Sequence, residues 1–160
     1  MPEVYTLLLS IRPQHAARIF TGDKTVELRR VRPRVKPGDR LLIYVTAPEM
    51  ALKAMCQVSC VYENTPLKLW REIGASSGID RSSFMDYFKG LDVAYAIGLR
   101  RVRRLDHDVA LEELRERWPG FLPPQSYWYL SEQQCEILLD APIVKINRGS
   151  RTKLWSNVTA

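Results

Sequence analysis

Fourteen consecutive residues, ALKAMCQVSCVYEN from Ala51 to Asn64, hold neither glycine nor proline and read as one long strand. Met55, Gln57, Ser59 and Val61 alternate with Cys56, Val58, Cys60 and Tyr62, so the two sets face opposite sides of a sheet. Other runs supply partners. YTLLLSI (Tyr5 to Ile11) is a short apolar run, as expected of a strand buried on both faces. KTVELRR alternates Val26 and Leu28 with Glu27 and Arg29, one face apolar and the other charged. RLLIYVTAP is a strand ended by Pro48. In DVAYAIGLRRVRRLD, Gly98 marks a bulge or a close backbone approach.

Short helices fall between these strands. Pro13 suits a first helical turn, because its missing N–H costs nothing there, and PQHAARIF continues with Ala16, Ile19 and Phe20 as the buried stripe. Gly22 stands where a left-handed cap would stop that helix. TPLKLWREIG has Thr65 as N-cap, Pro66 at N1 and Gly74 as its stop. SSFMDYFKG, DVALEELRERW and SEQQCEILLD complete the set, and PGFLPPQSYWYL is a closing segment. RPRVKPGDR is a loop, since its prolines and Pro-Gly pair forbid continued pairing. The last stretch, APIVKINRGSRTKLWSNVTA, reads as an extended polar tail in which IVKI adds an edge strand. A length of 160 residues suits one domain. About five strands with inserted helices make an α+β domain: a small, mostly antiparallel β-barrel with flanking short helices.

Twenty-four basic against 18 acidic residues give a net charge of +6, and the excess is localised. Seven basic residues lie between Lys24 and Arg40, opposed only by Glu27 and Asp39. LRRVRRL holds Arg100, Arg101, Arg103 and Arg104. Such clusters favour an anionic partner: RNA, DNA or a nucleotide. Cys56 and Cys60 on one strand would lie about 13 Å apart, too far for a disulfide. Three cysteines without zinc spacing indicate reduced thiols and a cytoplasmic protein. The N-terminus lacks a basic n-region, and its apolar run is too short for a signal peptide or a membrane span.

No phosphate-binding glycine loop, C-x-x-C or H-E-x-x-H is present, so neither a cofactor nor a metal is expected. His15 and His107 are isolated and read as surface histidines, and Ser126 has no neighbouring histidine for a triad. What remains is SIRPQHAARIFTGDKTVELRR followed by GDRLLIYVTAP. Here Gly22, Lys24, Glu27 and Arg29 fill the pattern G-x-K-x-x-E-x-R, and the segment resembles the ASCH domain of the PUA-like superfamily. The similarity covers residues 5 to about 62 and, more loosely, the VAYAIGLRRV strand. The resemblance implies a PUA-like domain over 1–145 with a polar tail over 146–160, a cleft beside the first helix, and RNA-related roles.

On these positions, Gly22 lets the chain reverse at once into the next strand. Lys24 shares parity with Val26 and Leu28, so its stem lies on apolar surface while its ammonium reaches the cleft mouth. Glu27 points the other way, to pair with Arg29 or Arg30 or to accept from a base or sugar. Arg12 and Lys24 are placed to hold a phosphate. Arg101 and Arg103 are the candidates on the second cluster. Each has a plainer reading: Lys24 as a solvated turn lysine, Glu27 as half of a structural ion pair, and RRVRR as a charged edge strand that resists aggregation. In SYWYL three successive aromatics cannot all face one core.

The leading function is RNA binding, with a regulatory role, through Arg12, Lys24, Glu27, Arg29, Arg30, Arg101 and Arg103. The alternative is a small hydrolase, a ribonuclease or an N4-acetylcytidine amidohydrolase, with Lys24 and Glu27 as acid–base pair. Against the amidohydrolase, Glu27 stands where that pattern has threonine, and the nearest acid to the helical insertion is Glu72. A third reading is a regulatory domain whose cleft binds a small metabolite.

Overall fold

Leu7, Leu8 and Leu9 are all fully buried, the two-sided burial their unbroken apolar run requires. They belong to β1 (Thr6–Ile11), which pairs parallel with β3 (Arg40–Val45) and antiparallel with β6 (Tyr127–Leu130). The computed structural model describes residues 3–141 and the backbone pairing of residues 158–159. The sheet runs β2 (Val26–Arg29), β5 (Ala94–Ala110), β4 (Ala51–Asn64), β3, β1, β6; β7 (Val158–Thr159) adds to β5 off that path. It is a curled half-barrel, left open between β2 and β6.

The sheet is mostly antiparallel, as the sequence leads one to expect, with one parallel pair and more strands than the five read from sequence. The β1–β3 pair is parallel because α1 (Pro13–Thr21), β2 and the proline-rich loop form a crossover between them. The sixth strand is the aromatic run itself. On β6, Tyr129 is exposed, whereas Trp128 packs on the outer core and Tyr127 on the inner one, so alternation resolves the three aromatics. The expected IVKI edge strand lies outside the described residues, as does most of the 146–160 tail.

The sheet separates two cores. Inside the curl, Leu7, Leu9, Ile43, Val58 and Ile97 pack with Ala16 and Ile19 of α1. Outside, Leu8, Leu42, Leu52 and Met55 pack under α4 (Leu111–Arg117) and α5 (Glu132–Leu139). A third core lies beneath α2 (Pro66–Ile73) and α3 (Arg81–Tyr87), where Leu69, Phe84 and Phe88 cover Val26 and Leu28 of β2.

Strict alternation along β4 fails where its register with β5 shifts between Val58 and Val61. Val61 therefore packs with Val58 on the inner core rather than sharing a face with Met55. Gly98 of β5 sits against this bulge, and a Cβ there would lie 2.3 Å from Ser59 Oγ and 3.0 Å from Cys60 Sγ. Close backbone approach is thus its role. In the PGDR turn, buried Asp39 accepts the backbone N–H groups of Tyr5 and Lys36, which ties the loop to the start of β1 and β3. Among the described residues, no helix is long and apolar enough to cross a membrane.

Candidate functional site

The opening between β2 and β6 holds a cleft of about 410 Å³, walled by the end of β1, the start of α1 and the inner edge of β2. Gly22 caps α1 in the left-handed region (φ 86°), and the Lys24 N–H donates to the carbonyl of Arg18. The chain thereby reverses within two residues and delivers Lys24 to the cleft floor. It is not a solvated turn lysine: it is 4% exposed. The turn after α2 folds over it, and Lys24 Nζ donates to the Ser77 carbonyl at 2.8 Å.

Lys24 Nζ also lies 3.5 Å from Glu27 Oε2, and Glu27 Oε1 lies 3.8 Å from Arg29 Nη2. Lys24 and Glu27 are therefore partners, not residues on opposing faces. Strand alternation begins only at Val26, and the turn before it swings Lys24 back toward Glu27. Burial pushes the Lys24 amine below its ordinary range, and Glu27 opposes that shift. The ammonium is bound to the Ser77 carbonyl, while Glu27 Oε2 accepts no hydrogen bond among the described residues although it is buried. Ser10 Oγ, in the same wall, is buried and likewise unpaired. An unpaired buried hydroxyl and a carboxylate oxygen held only by a 3.5 Å ion pair thus line one cleft beside a buried cation.

Arg29 closes the seam. Its Nη1 donates to Ser126 Oγ at 2.7 Å, and its guanidinium stacks 5.6 Å from the Tyr127 ring centre. Its Nε and Nη2 are buried without a hydrogen-bond acceptor. Arg12, the exposed N-cap of α1, stands in the cleft wall with Lys24 and Glu27. Arg30 lies apart, its Nη1 donating to the Tyr87 carbonyl. Arg101 lines a neighbouring groove, which Lys24 also borders, and Arg103 lines neither. The first basic cluster is largely engaged internally, since Arg32 pairs with Glu63 and Lys36 with Asp39.

Several cleft residues are not evident from sequence. His15 is half-buried in the wall rather than a surface histidine; burial lowers its pKa, and Lys24 adds to the effect. Thr46, Tyr87 and Gln125 also line the cleft. Only Ser10 carried a signal, as a hydroxyl inside an apolar run. Among the described residues, no cluster of His, Cys, Asp and Glu has the arrangement of a metal site.

The ASCH domain family model matches residues 9–141. An ASCH domain-containing ribonuclease from Zymomonas mobilis is 29% identical over 143 residues, covering 87% of this chain and 93% of the relative. The crystal structure of ASCH from Zymomonas mobilis superposes with a TM-score of 0.79 at 28% identity, covering 84% of this chain and 94% of that one. Human THYN1, solved with DNA containing 5-methylcytosine, shares the fold at 12% identity and a TM-score of 0.54, covering 85% of this chain and 96% of that one.

Proposed function

The chain belongs to the ASCH domain family, and we propose that its cleft binds single-stranded RNA, with Arg12 and Lys24 facing phosphate and Glu27 and Ser10 reading donors on a base or ribose. The observation that carries this is the unpaired buried hydroxyl of Ser10 beside Glu27 Oε2, an oxygen held only by its ion pair with the Lys24 ammonium at 3.5 Å, in a single cleft. A buried hydroxyl without a partner is costly and a carboxylate oxygen keeps room for a further donor, so a ligand N–H or O–H satisfies both. Likeness to a nucleic-acid-related family supports the partner class.

Phosphodiester cleavage is the second reading, favoured by the likeness to an ASCH domain-containing ribonuclease. In it the ribose 2′-oxygen attacks the adjacent phosphorus and its proton passes to Glu27. The bond from phosphorus to the 5′-oxygen breaks, leaving a 2′,3′-cyclic phosphate, and that oxygen takes a proton from Lys24. The lowered Lys24 pKa makes its ammonium a stronger acid than a solvated lysine. The amidohydrolase reading gains nothing, since Glu72 is exposed on α2 and does not line the cleft.

Fluorescence anisotropy with a labelled single-stranded RNA of roughly 12 nucleotides tests the binding. Arg12→Glu is the clean variant, because Arg12 is exposed and makes no side-chain cap. Affinity is expected to fall at least about fivefold, and equal binding by the variant at low salt would refute a cleft-bound phosphate. Gel analysis of the same mixtures reports cleavage.

His15 adds a pH dependence. The groups facing it are Lys24, Arg12 and Arg18, which lower its pKa along with burial, and Glu27, which raises it. It is therefore neutral near neutral pH and charges only on acidification. A bound phosphate prefers the charged form, so RNA affinity is expected to rise several-fold as pH falls below the ordinary histidine range. In His15→Asn the same titration should be flatter; an unchanged slope would remove His15 from the ligand's surroundings.

A further inference from the structure

On the far side of Lys24 from the cleft lies a second groove of about 410 Å³, between the end of α1 and β5. Along β5, alternation would divide Arg100 and Arg104 from Arg101. The structure does not divide them. Gln57 of β4 pairs with Arg100 and Met55 with Arg103, so β5 carries one extra residue at this point. Arg101 takes up the slack in the left-handed region, at φ 52°, a conformation side chains other than glycine, asparagine and aspartate seldom adopt. The bulge thus gathers Arg100, Arg101 and Arg104 around one groove.

These arginines differ in their engagements. Arg104 is a fixed wall: it donates to the Lys53 carbonyl, pairs with Asp108 and stacks 4.4 Å from the Phe20 ring centre. Arg100 and Arg101 are exposed, and neither pairs with a carboxylate among the described residues. Thr25 supplies a hydroxyl on the opposite bank, where the Thr21 hydroxyl is already engaged with the Arg18 carbonyl and the Asp23 carboxylate. A left-handed arginine beside an unneutralised arginine, with the Thr25 hydroxyl across from them, suits phosphate oxygens.

We propose that this groove is a second phosphate-binding subsite, in which the backbone of a single-stranded RNA seated in the cleft passes over Lys24 and lies along Arg100 and Arg101. The inference rests on the RNA reading of the cleft and extends it to a track of two depressions sharing Lys24 as their divide. Because the groove contacts backbone only, it adds affinity and length dependence without sequence preference.

The test compares a dinucleotide with a single-stranded RNA of roughly 12 nucleotides over a salt series, for wild type and for Arg100→Glu/Arg101→Glu. The long RNA is expected to bind wild type more tightly than the dinucleotide. It should lose at least about tenfold in the variant, with its logarithmic salt slope falling by about 1.4. Dinucleotide binding should be unchanged. Arg101→Gly is the companion variant: glycine suits the left-handed backbone, so the charge is removed while the fold is kept. It should lose part of the long-RNA affinity without lowering the melting temperature. If wild type binds dinucleotide and long RNA alike, or both variants match wild type on long RNA, the groove is no subsite, and the cleft stands. If wild type binds neither RNA, the cleft reading itself has failed and the track falls with it.

Discussion

Lys24→Met is expected to reduce RNA affinity at least about tenfold, close to 1.4 kcal/mol of binding free energy, while lowering folding stability by about 1–2 kcal/mol, since the buried Ser77 carbonyl loses its donor. Methionine follows the apolar course of the lysine stem and removes the burden of a desolvated ammonium. Glu27 keeps Arg29 at 3.8 Å, so its charge is not stranded. Removing the other partner acts differently. Glu27→Ala leaves the ammonium, only 4% exposed as a residue, with the Ser77 carbonyl as its remaining close partner. That variant should lose about 3 kcal/mol at neutral pH.

Its loss should depend on pH in a fixed sense. A base whose folded pKa lies below its unfolded value burdens the folded state while charged in both. Stability is therefore regained as pH rises from the folded pKa toward the unfolded value. Urea denaturation of both variants at neutral and alkaline pH, with anisotropy on the same samples, measures all of this. Unfolding of Lys24→Met together with tolerance of Glu27→Ala would mean that Lys24 is a structural residue and nothing more.

Gly98→Val is expected to destabilise the protein by about 2–3 kcal/mol and to weaken RNA binding with it. A Cβ at Gly98 meets Ser59 Oγ at 2.3 Å and the Cys60 carbonyl oxygen at 3.3 Å, so the bulged turn of β4 must move. Val26 pairs opposite Gly98, and the Leu99 N–H donates to the Thr25 carbonyl. Displacement here thus reaches the strand that carries Glu27 and Arg29. A milder Gly98→Ala tests the cause, because Ser59→Gly should rescue most of its loss in the urea midpoint. Failure of that rescue would place the strain in the Cys60 contacts.

The strands were legible in sequence where one periodicity governs a whole segment. The unbroken run Ala51–Asn64 is β4 from end to end, and Pro13 and Gly22 bracket α1. Legibility failed where a single residue changes the count. The bulges in β4 and β5 move Val61 to the inner core and gather Arg100 and Arg101, and nothing in their side chains announces an extra residue. In β6, Pro123 and Pro124 just upstream hide a four-residue strand that depends on β1 for its hydrogen bonds. The same contrast holds at the site. Lys24, Glu27 and Arg29 sit close in sequence on one turn and strand. Ser10, His15, Thr46 and Gln125 reach the cleft from separate elements, so only the tertiary fold assembles them.

The gap between β2 and β6 separates the cleft's width from the protein's overall stability. Among the described residues no ladder hydrogen bond spans it; the Tyr129 hydroxyl donates to the Arg34 carbonyl in the loop after β2, and the stacking of Arg29 on Tyr127 and the Arg29–Ser126 hydrogen bond cross it. A charged hydrogen bond of this kind contributes about 1.5–3 kcal/mol. Closure of the seam thus rests on side chains, not on a strand pair. The mouth of the cleft is therefore tied by contacts separate from those that hold the strands to one another.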